Sequence, residues 1–182
     1  RIEGPYILYS PHTDYYYLFV TFGGLAFDGG YNIRLMRSKF PDGPYYDAAG
    51  NAMLYVRGEQ GTLFDDRSIE PYGVKLLGNY QFTAVEGEPR TLSRGYVSPG
   101  HNSAYYDPVE NKYFLLFHTR FLGRGDYHEV RVHQMFLNED GWFVVSPHRY
   151  AGETLEYYSN EELLGEYKLI NHGKRITTDL KK

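Results

Sequence analysis

The chain has 182 residues, and its 19 Lys and Arg against 23 Asp and Glu leave a formal net charge of −4. A nearly balanced surface lacks the basic patch that nucleic-acid-binding proteins need, so we expect no nucleic-acid partner. The sequence has no Cys, which excludes disulfides, thiolate metal sites and cysteine nucleophiles. No apolar run approaches the roughly 18 residues of a membrane span. The 20 Tyr and 11 Phe favour β-strands and offer ring faces on which sugars stack.

Four β-rich segments follow one another at the start of the chain, each apolar or aromatic and separated from the next by turns rich in Gly, Pro and Asp. The segments are residues 6–9, 15–22, 31–37 and 44–46. This pattern predicts a four-stranded antiparallel meander.

A second set of four segments repeats the pattern later in the chain. These segments are residues 102–106, 112–119, 129–137 and 142–145. The two sets look like one unit used twice, and radially repeated four-stranded antiparallel sheets make a β-propeller. We therefore predict an all-β fold with two clear blades of a partial five-bladed β-propeller. A two-sheet sandwich is the competing architecture.

Residues 48–97 separate the two units, whose first strands are about 100 residues apart, longer than the usual repeat of a propeller. This segment is therefore either a degenerate blade or a long insertion. Within it, residues 74–77 and 80–83 flank Gly78-Asn79, which predicts a short hairpin. Residues 60–67 are typical of a loop.

The composition changes after Gly152. Residues 159–165 begin with Ser and Asn followed by Glu, a capping signature that predicts one helical turn, and residues 166–170 are expected to form a strand. We divide the chain into a propeller portion, residues 1–150, and the start of a C-terminal β module or tail, residues 151–182. The sequence begins inside a strand-like pattern without Met, so we expect a trimmed or incomplete polypeptide.

Glu3 is the carboxylate to explain in the first segment, where it stands between Ile2 and a Gly-Pro pair. At the mouth of a strand a carboxyl group is partly desolvated, and its pKa rises. A raised pKa is what a general acid needs near neutral pH. The alternative is that Glu3 is a solvated residue near a chain end.

His101 lies in the Gly- and Ser-containing residues 97–103, which lead into the second unit at the place where Glu3 stands in the first. Because the innermost strands of a propeller run toward one axis, we expect Glu3 and His101 to meet over a central cavity. A lone His is more often a hydrogen-bonded structural residue, although glycine next to it allows close backbone approach. Three further histidines lack metal-ligand spacing and are expected to be structural or exposed: His118, His128 and His133.

Four motifs, in matching order over about residues 1–150, resemble the arabinanases of glycoside hydrolase family 43. They are Ile2-Glu3-Gly4-Pro5-Tyr6; Tyr31-Asn32-Ile33-Arg34 with Arg37-Ser38 and Gly43-Pro44-Tyr45; Ser98-Pro99-Gly100-His101-Asn102-Ser103; and Gly141-Trp142 before Pro147-His148-Arg149-Tyr150. Agreement in four separate motifs is far more specific than Glu3 alone.

The resemblance implies a five-bladed propeller that hydrolyses α-1,5-linked L-arabinan with inversion, acting on arabinan or arabino-oligosaccharides outside the cell or in the periplasm. It implies that Glu3 is the general acid. It also implies that His101 lies at the central cavity, where it helps to hold a calcium ion largely through waters or orients substrate. Asn32 and Arg34 follow a glycine-rich turn and are expected to line the substrate cleft.

An inverting glycosidase needs two carboxyl groups, because an acid protonates the leaving oxygen while a base, roughly 6.5–9.5 Å away, activates water on the opposite face. In the family that this chain resembles, the base and a further Asp that orients the acid precede the motif of Glu3. We therefore expect the chain to be inactive alone, unless a companion polypeptide supplies the missing blades. Two alternatives stay open: an exo-acting arabinofuranosidase or xylosidase of the same fold, and a noncatalytic carbohydrate-binding propeller fragment.

Overall fold

The computed structural model describes residues 1–62, 66–88 and 95–177. Within these residues the regular structure consists of eight strands and a short 3₁₀ helix at Arg67–Ile69. The strands are β1 (Ile2–Ser10), β2 (Tyr15–Phe22), β3 (Asn32–Ser38), β4 (Val74–Leu77), β5 (Val97–Asp107), β6 (Lys112–Arg120), β7 (His128–Leu137) and β8 (Phe143–Val145). In the same described ranges, no helix is long and apolar enough to cross a membrane.

The strands form two four-stranded antiparallel sheets, ordered β1-β2-β3-β4 and β5-β6-β7-β8. This arrangement confirms the predicted all-β fold with two repeated units. The equivalent turns are also alike, because Asp14 before β2 and Asn111 before β6 both have a φ of 54°. Asp and Asn tolerate this left-handed conformation better than most residues.

The fourth strand of the first sheet is β4, so the prediction of residues 44–46 for this position is wrong. Pro44 has no N–H to donate to a neighbouring strand, and Tyr46 reaches β3 only through an isolated bridge to Arg37, near the end of that strand. The edge of β3 is instead covered by β4, with Leu35 opposite Val74. The sheet therefore obtains its last strand from beyond a long connection.

The described part of residues 48–97 forms no separate blade, since its one complete strand, β4, belongs to the first sheet. The predicted hairpin of residues 74–77 with 80–83 is also wrong. Tyr80 pairs with Tyr96 instead, through backbone hydrogen bonds of 3.1 and 2.9 Å. The loop predicted at residues 60–67 falls partly outside the described residues.

The main core lies between the two sheets. Alternate residues of a strand face the same side, and the inward side chains of both sheets are apolar or aromatic. Tyr17 and Phe19 of β2 and Phe143 of β8 are fully or almost fully buried there, with the Tyr17 and Phe143 ring centroids 4.6 Å apart. Each such side chain contributes roughly 1.5–3 kcal/mol when buried, so this core fixes the position of one sheet against the other.

A second, smaller core covers the opposite face of the first sheet. It joins side chains of β2 and β3 to residues from the long connection and from the C-terminal part of the chain. Its buried members are Val20, Phe22, Met36, Tyr45, Ile69 and Ile176. The C-terminal residues therefore pack directly on the sheet that carries Glu3.

Of the two elements predicted after residue 152, the helical turn forms and the strand does not. The helical turn predicted at residues 159–165 is confirmed, because the Leu163 N–H donates to the Ser159 carbonyl at 3.2 Å and the Ser159 N–H donates to Glu162 Oε2 at 2.8 Å. This is the reciprocal capping arrangement of a helix start. The strand predicted at residues 166–170 does not form.

Candidate active site

Glu3 lies on β1, opposite Thr21 of β2. The register shifts between Glu3 and Tyr6, and Gly4 in this irregular stretch has a φ of +60°. A bulge bends its strand and re-aims the side chains beside it, and glycine enters the left-handed region without steric cost. The Gly-Pro pair of the sequence therefore sets the direction of the Glu3 side chain.

The Glu3 carboxylate has a donor on each oxygen. The Tyr31 hydroxyl donates a hydrogen bond to Oε1, and Nη2 of Arg1 lies 2.5 Å from Oε2. The Glu3 side chain is 23% exposed, whereas that of Arg1 is 47% exposed. Glu3 is thus partly sheltered, as the sequence predicted, and is also paired.

The pairing reverses the predicted shift of the Glu3 pKa. Burial raises this pKa, but the hydrogen bonds from Tyr31 and Arg1, together with the charges of Arg1 and His101, lower it, and the net result is a pKa below the usual value. Donors and positive charges favour the ionised form of a carboxyl group, whereas a nearby carboxylate disfavours it. Among the described residues, Glu3 is therefore held as a carboxylate at neutral pH.

His101 lies beside the strand of Glu3. A Cβ placed on Gly4 would be 3.6 Å from the His101 Cα and 3.7 Å from its Nδ1. The His101 N–H donates to Thr21 Oγ1 at 2.9 Å, and the Thr21 hydroxyl donates to Asn102 Oδ1 at 3.2 Å. Because Thr21 stands opposite Glu3, one threonine connects the strand of the carboxylate to the strand of the histidine.

The irregular start of β5 explains why His101 reaches this position. The pairing with β6 shifts on both sides of Gly100, and Ser98 and His101 both have a φ of 48°. Two left-handed residues in one strand require compensation from their surroundings, which here includes the hydrogen bond from the Ser98 N–H to Asn79 Oδ1 at 2.7 Å. The strained backbone leaves the His101 side chain exposed at the surface of the site.

His118 is a site residue that the sequence did not predict. Its ring is stacked on that of His101, with centroids 6.3 Å apart and an interplanar angle of 24°. Burial, and then the charge of Arg120, lowers the pKa of His118 to about 4, so the ring is neutral near pH 7. Its buried Nδ1 has no hydrogen-bond partner within the described residues. The signal that locates it is register: pairing counted from the β5–β6 turn places His118 opposite His101, and the shift between Gly100 and Ser103 moves it by one residue, to a position opposite Gly100.

Tyr31 is the second residue that the sequence did not assign to the site. It directly precedes β3 and is fully buried. Its ring meets the His118 ring edge-on, with centroids 5.8 Å apart and an angle of 84°. Glu3, Tyr31, His118 and His101 therefore form one cluster at the same end of both sheets.

The structure does not bring Asn32 and Arg34 into this cluster. Both side chains are buried away from it and do not line a cleft. Their side chains are 1% and 0% exposed. The Arg34 Nη1 donates to the carbonyls of Glu70 and Tyr72 at 2.7 and 2.8 Å, and Nη2 donates to the carbonyl of Lys174. Since β3 alternates its faces, these two side chains lie on the side covered by the second core.

The internal contacts of Asn32 and Arg34 give both residues a structural task. Asn32 Oδ1 accepts a hydrogen bond of 2.9 Å from Arg34 Nε, and Asn32 Nδ2 donates to the carbonyls of Phe22 and Gly30. Burial lowers the pKa of Arg34 to about 10, so the guanidinium is still charged at neutral pH. It joins β3 to the long connection and to the C-terminal residues.

The residues around His101 do not by themselves fit a calcium site. Calcium takes six to eight oxygen ligands, mostly carboxylates, carbonyls and waters. In residues 1–62, 66–88 and 95–177, no group of three or more His, Asp or Glu side chains is placed to hold a metal ion. Glu3, the carboxylate of the cluster, is taken by Arg1 and Tyr31.

Comparison with known proteins extends the motifs to the whole chain. The chain is 64% identical over 181 residues to the extracellular endo-α-(1→5)-L-arabinanase 2 of Bacillus subtilis strain 168, which covers 100% of the chain and 38% of that protein. It is 57% identical over 183 residues to the extracellular endo-α-(1→5)-L-arabinanase of Thermotoga petrophila, covering 99% of the chain and 37% of the relative. The chain thus spans about two fifths of the length of these relatives.

Solved structures agree with these sequence relationships. The crystal structure of a glycoside hydrolase family 43 protein from Bacillus licheniformis matches with a TM-score of 0.91 and 63% identity, over 100% of this chain and 39% of that one. Residues 147–182 match the GH43_C family, described as a C-terminal lipocalin-like domain. The division of the chain near residue 150 stays a prediction.

Proposed function

We propose that this chain is part of a glycoside hydrolase family 43 enzyme, and that it supplies the general acid with which that enzyme hydrolyses α-1,5-linked L-arabinan with inversion. The observation that carries the proposal is the environment of Glu3. Its carboxylate is partly sheltered, is held at both oxygens, and lies at the end of the sheets where His101 and His118 also lie. A solvated residue at a chain end would have none of these contacts.

The chemistry assigned to Glu3 is transfer of one proton. The carboxyl group donates its proton to the glycosidic oxygen while the bond from that oxygen to the anomeric carbon breaks, and a base on the opposite face takes a proton from the attacking water. Glu3 ends the step as a carboxylate, the form that Tyr31 and Arg1 stabilise. The described residues therefore stabilise Glu3 in the ionised form that it has after it has given up its proton.

The low pKa of Glu3 also defines what the rest of the enzyme has to supply. A general acid works best with a pKa near the operating pH, and a second carboxylate beside Glu3 would raise its pKa. The upstream blades expected from the family would bring both the base and such a carboxylate. We therefore propose that this chain is inactive alone and needs those blades, in the same or a companion polypeptide.

Endo-acting cleavage of arabinan is the specificity best supported, because relatives named endo-arabinanases are 64% and 57% identical to the chain. A relative named an exo-α-(1→5)-L-arabinofuranosidase, from Cellvibrio japonicus, is 29% identical over 78% of the chain. Both endo-acting relatives are named extracellular, which supports a secreted or periplasmic location for this protein.

Substitution of Glu3 tests the proposal in the complete enzyme, meaning this chain with the upstream blades. Glu3→Gln preserves the shape and removes the proton, so arabinan hydrolysis should fall by about 10²-fold or more. Glu110→Gln is the matched control, since Glu110 is an exposed carboxylate on the β5–β6 turn. The chain alone should release no arabino-oligosaccharides. Equal activity of the two variants would favour a noncatalytic, carbohydrate-binding role instead.

A further inference from the structure

Tyr31 is placed so that its hydroxyl contacts the carboxylate of Glu3. Its side chain is fully buried, and its hydroxyl donates to Oε1 of Glu3. Burial, and then the hydrogen bond to Glu3, raises the pKa of Tyr31. The phenol therefore keeps its proton at neutral pH, where it is a donor toward Glu3.

The ring of Tyr31 packs directly against the backbone of Gly100. A Cβ on Gly100 would lie 2.6 Å from Cε2 of Tyr31 and 2.7 Å from Cγ2 of Thr21, distances that real Cβ atoms do not show. The absence of a side chain at Gly100 is thus what lets the ring fit. On its other side the ring meets the edge of His118, so its hydroxyl has one direction, toward Glu3.

The two oxygens of Glu3 differ in how firmly they are held. Oε1 is bonded to a buried phenol, whereas Oε2 faces Arg1, whose side chain is half-exposed. An ion pair with an exposed partner contributes little and is displaced at small cost. The last torsion of a glutamate side chain is broad and roughly two-fold, so a carboxyl group without an anchor presents either oxygen in many orientations.

We propose that Tyr31 is the positioning residue of the general acid, which holds Oε1 of Glu3 so that Oε2 is the oxygen that carries and delivers the proton. This inference rests on the proposed function of Glu3. When the Oε2 proton moves to the leaving sugar oxygen, the negative charge left on the carboxylate is shared with Oε1, where the Tyr31 hydroxyl already donates. Gly100 of the Pro-Gly-His motif affects the acid indirectly, because its lack of a side chain leaves room for the Tyr31 ring.

The test compares Tyr31→Phe with Tyr45→Phe in the complete enzyme. Both rings are buried, but the Tyr45 hydroxyl donates to the Pro41 carbonyl at 2.8 Å, in the long connection on the other face of the sheet. For Tyr31→Phe, kcat on arabinan should fall about 10- to 100-fold while KM stays within about threefold, because misplacement of a reacting group lowers rate more than binding. Tyr45→Phe should keep its kcat within about threefold.

A substrate that needs no proton separates positioning from packing. A nitrophenolate departs without protonation, so Tyr31→Phe should lose less than about threefold in kcat on a nitrophenyl arabino-oligosaccharide. An equal loss on both substrates, a loss in KM alone, or a result matching Tyr45→Phe would overturn the inference. If Tyr31→Phe does not fold, as shown by its melting temperature, Gly100→Ala displaces the ring and keeps the hydroxyl, and the same pattern of losses is required of it.

Glu3→Gln measured alongside separates the two proposals. If Glu3→Gln loses its activity on arabinan and Tyr31→Phe does not, the positioning role is wrong and the acid assignment stands. If Glu3→Gln keeps full activity, the proposed function itself is wrong.

Discussion

Replacement of the buried Arg34 tests whether this residue stabilises the fold. The sequence motif had placed Arg34 in the substrate cleft. Arg34→Met fills a similar volume but removes donors to four acceptors: the buried Asn32 Oδ1 and the part-buried carbonyls of Glu70, Tyr72 and Lys174. At about 1 kcal/mol for each acceptor left without a partner, the loss of stability is about 4 kcal/mol. In a complete protein of the length of the Bacillus subtilis relative, of which this chain covers 38%, this loss lowers the melting temperature by roughly 4 °C.

Thermal unfolding followed by circular dichroism measures this loss in the complete protein. Arg57→Met is the matched control, because Arg57 is exposed and a surface substitution changes stability by less than about 0.5 kcal/mol. Limited proteolysis gives an independent reading, since Arg34 holds the carbonyl of Lys174 and its loss should expose residues 171–177 to cleavage. Melting temperatures of the two variants within 2 °C of each other, set as roughly the error of the assay, would refute the assignment of Arg34 to the interior.

Two further predictions concern histidines. Burial lowers the pKa of His133 to about 4, so between about pH 6.5 and pH 4 the unfolded chain binds a proton that the folded chain does not. The contribution of His133 to the free energy of unfolding should therefore be full above pH 6.5 and should fall by about 3 kcal/mol through that window. Melting curves at pH 7 and pH 4.5 should show a smaller drop for His133→Gln than for the unaltered protein. For His101, the calcium role implied by the family predicts that His101→Ala lowers activity and calcium content together in the complete enzyme, measured by assay and by metal analysis; unchanged values for both would make His101 a structural residue.

The repeated sheets were predictable because their signals are local. Alternation of apolar residues and turn clusters of Gly, Pro and Asp located residues of all eight strands of the described chain. The partner of β4 was predicted wrongly, because Val74–Leu77 pairs with β3 across a connection that local pattern does not span. Tyr80, assigned to a hairpin with them, found its partner in Tyr96.

The site was predictable only where a motif names its residues. Glu3 and His101 stand in such motifs, and the structure places their strands side by side. Tyr31 also begins a motif, but its place in the cluster, like that of His118, depends on sheet register and ring packing, which single-residue reasoning does not use. Arg34 stands in a motif but does not join the cluster. The carbonyls that accept its hydrogen bonds come from Glu70, Tyr72 and Lys174, which are far from it in sequence.

The shift of the Glu3 pKa was the other point that sequence could not give. Its sign depends on two donors, Tyr31 and Arg1, and the sequence pattern predicted only the desolvation of the carboxyl group. Desolvation does raise the pKa, as expected, but it is outweighed. A carboxylate placed beside Glu3 by residues outside the described ranges would raise this pKa toward the neutral range.

The pH dependence of kcat/KM on arabinan is the most direct test of Glu3 as the proton donor. In the complete enzyme, kcat/KM should fall at alkaline pH as the general acid ionises. The residual activity of Glu3→Gln should lack this alkaline limb, because glutamine has no proton to lose. An alkaline limb of unchanged midpoint in Glu3→Gln would show that another group is the acid, and would contradict the account.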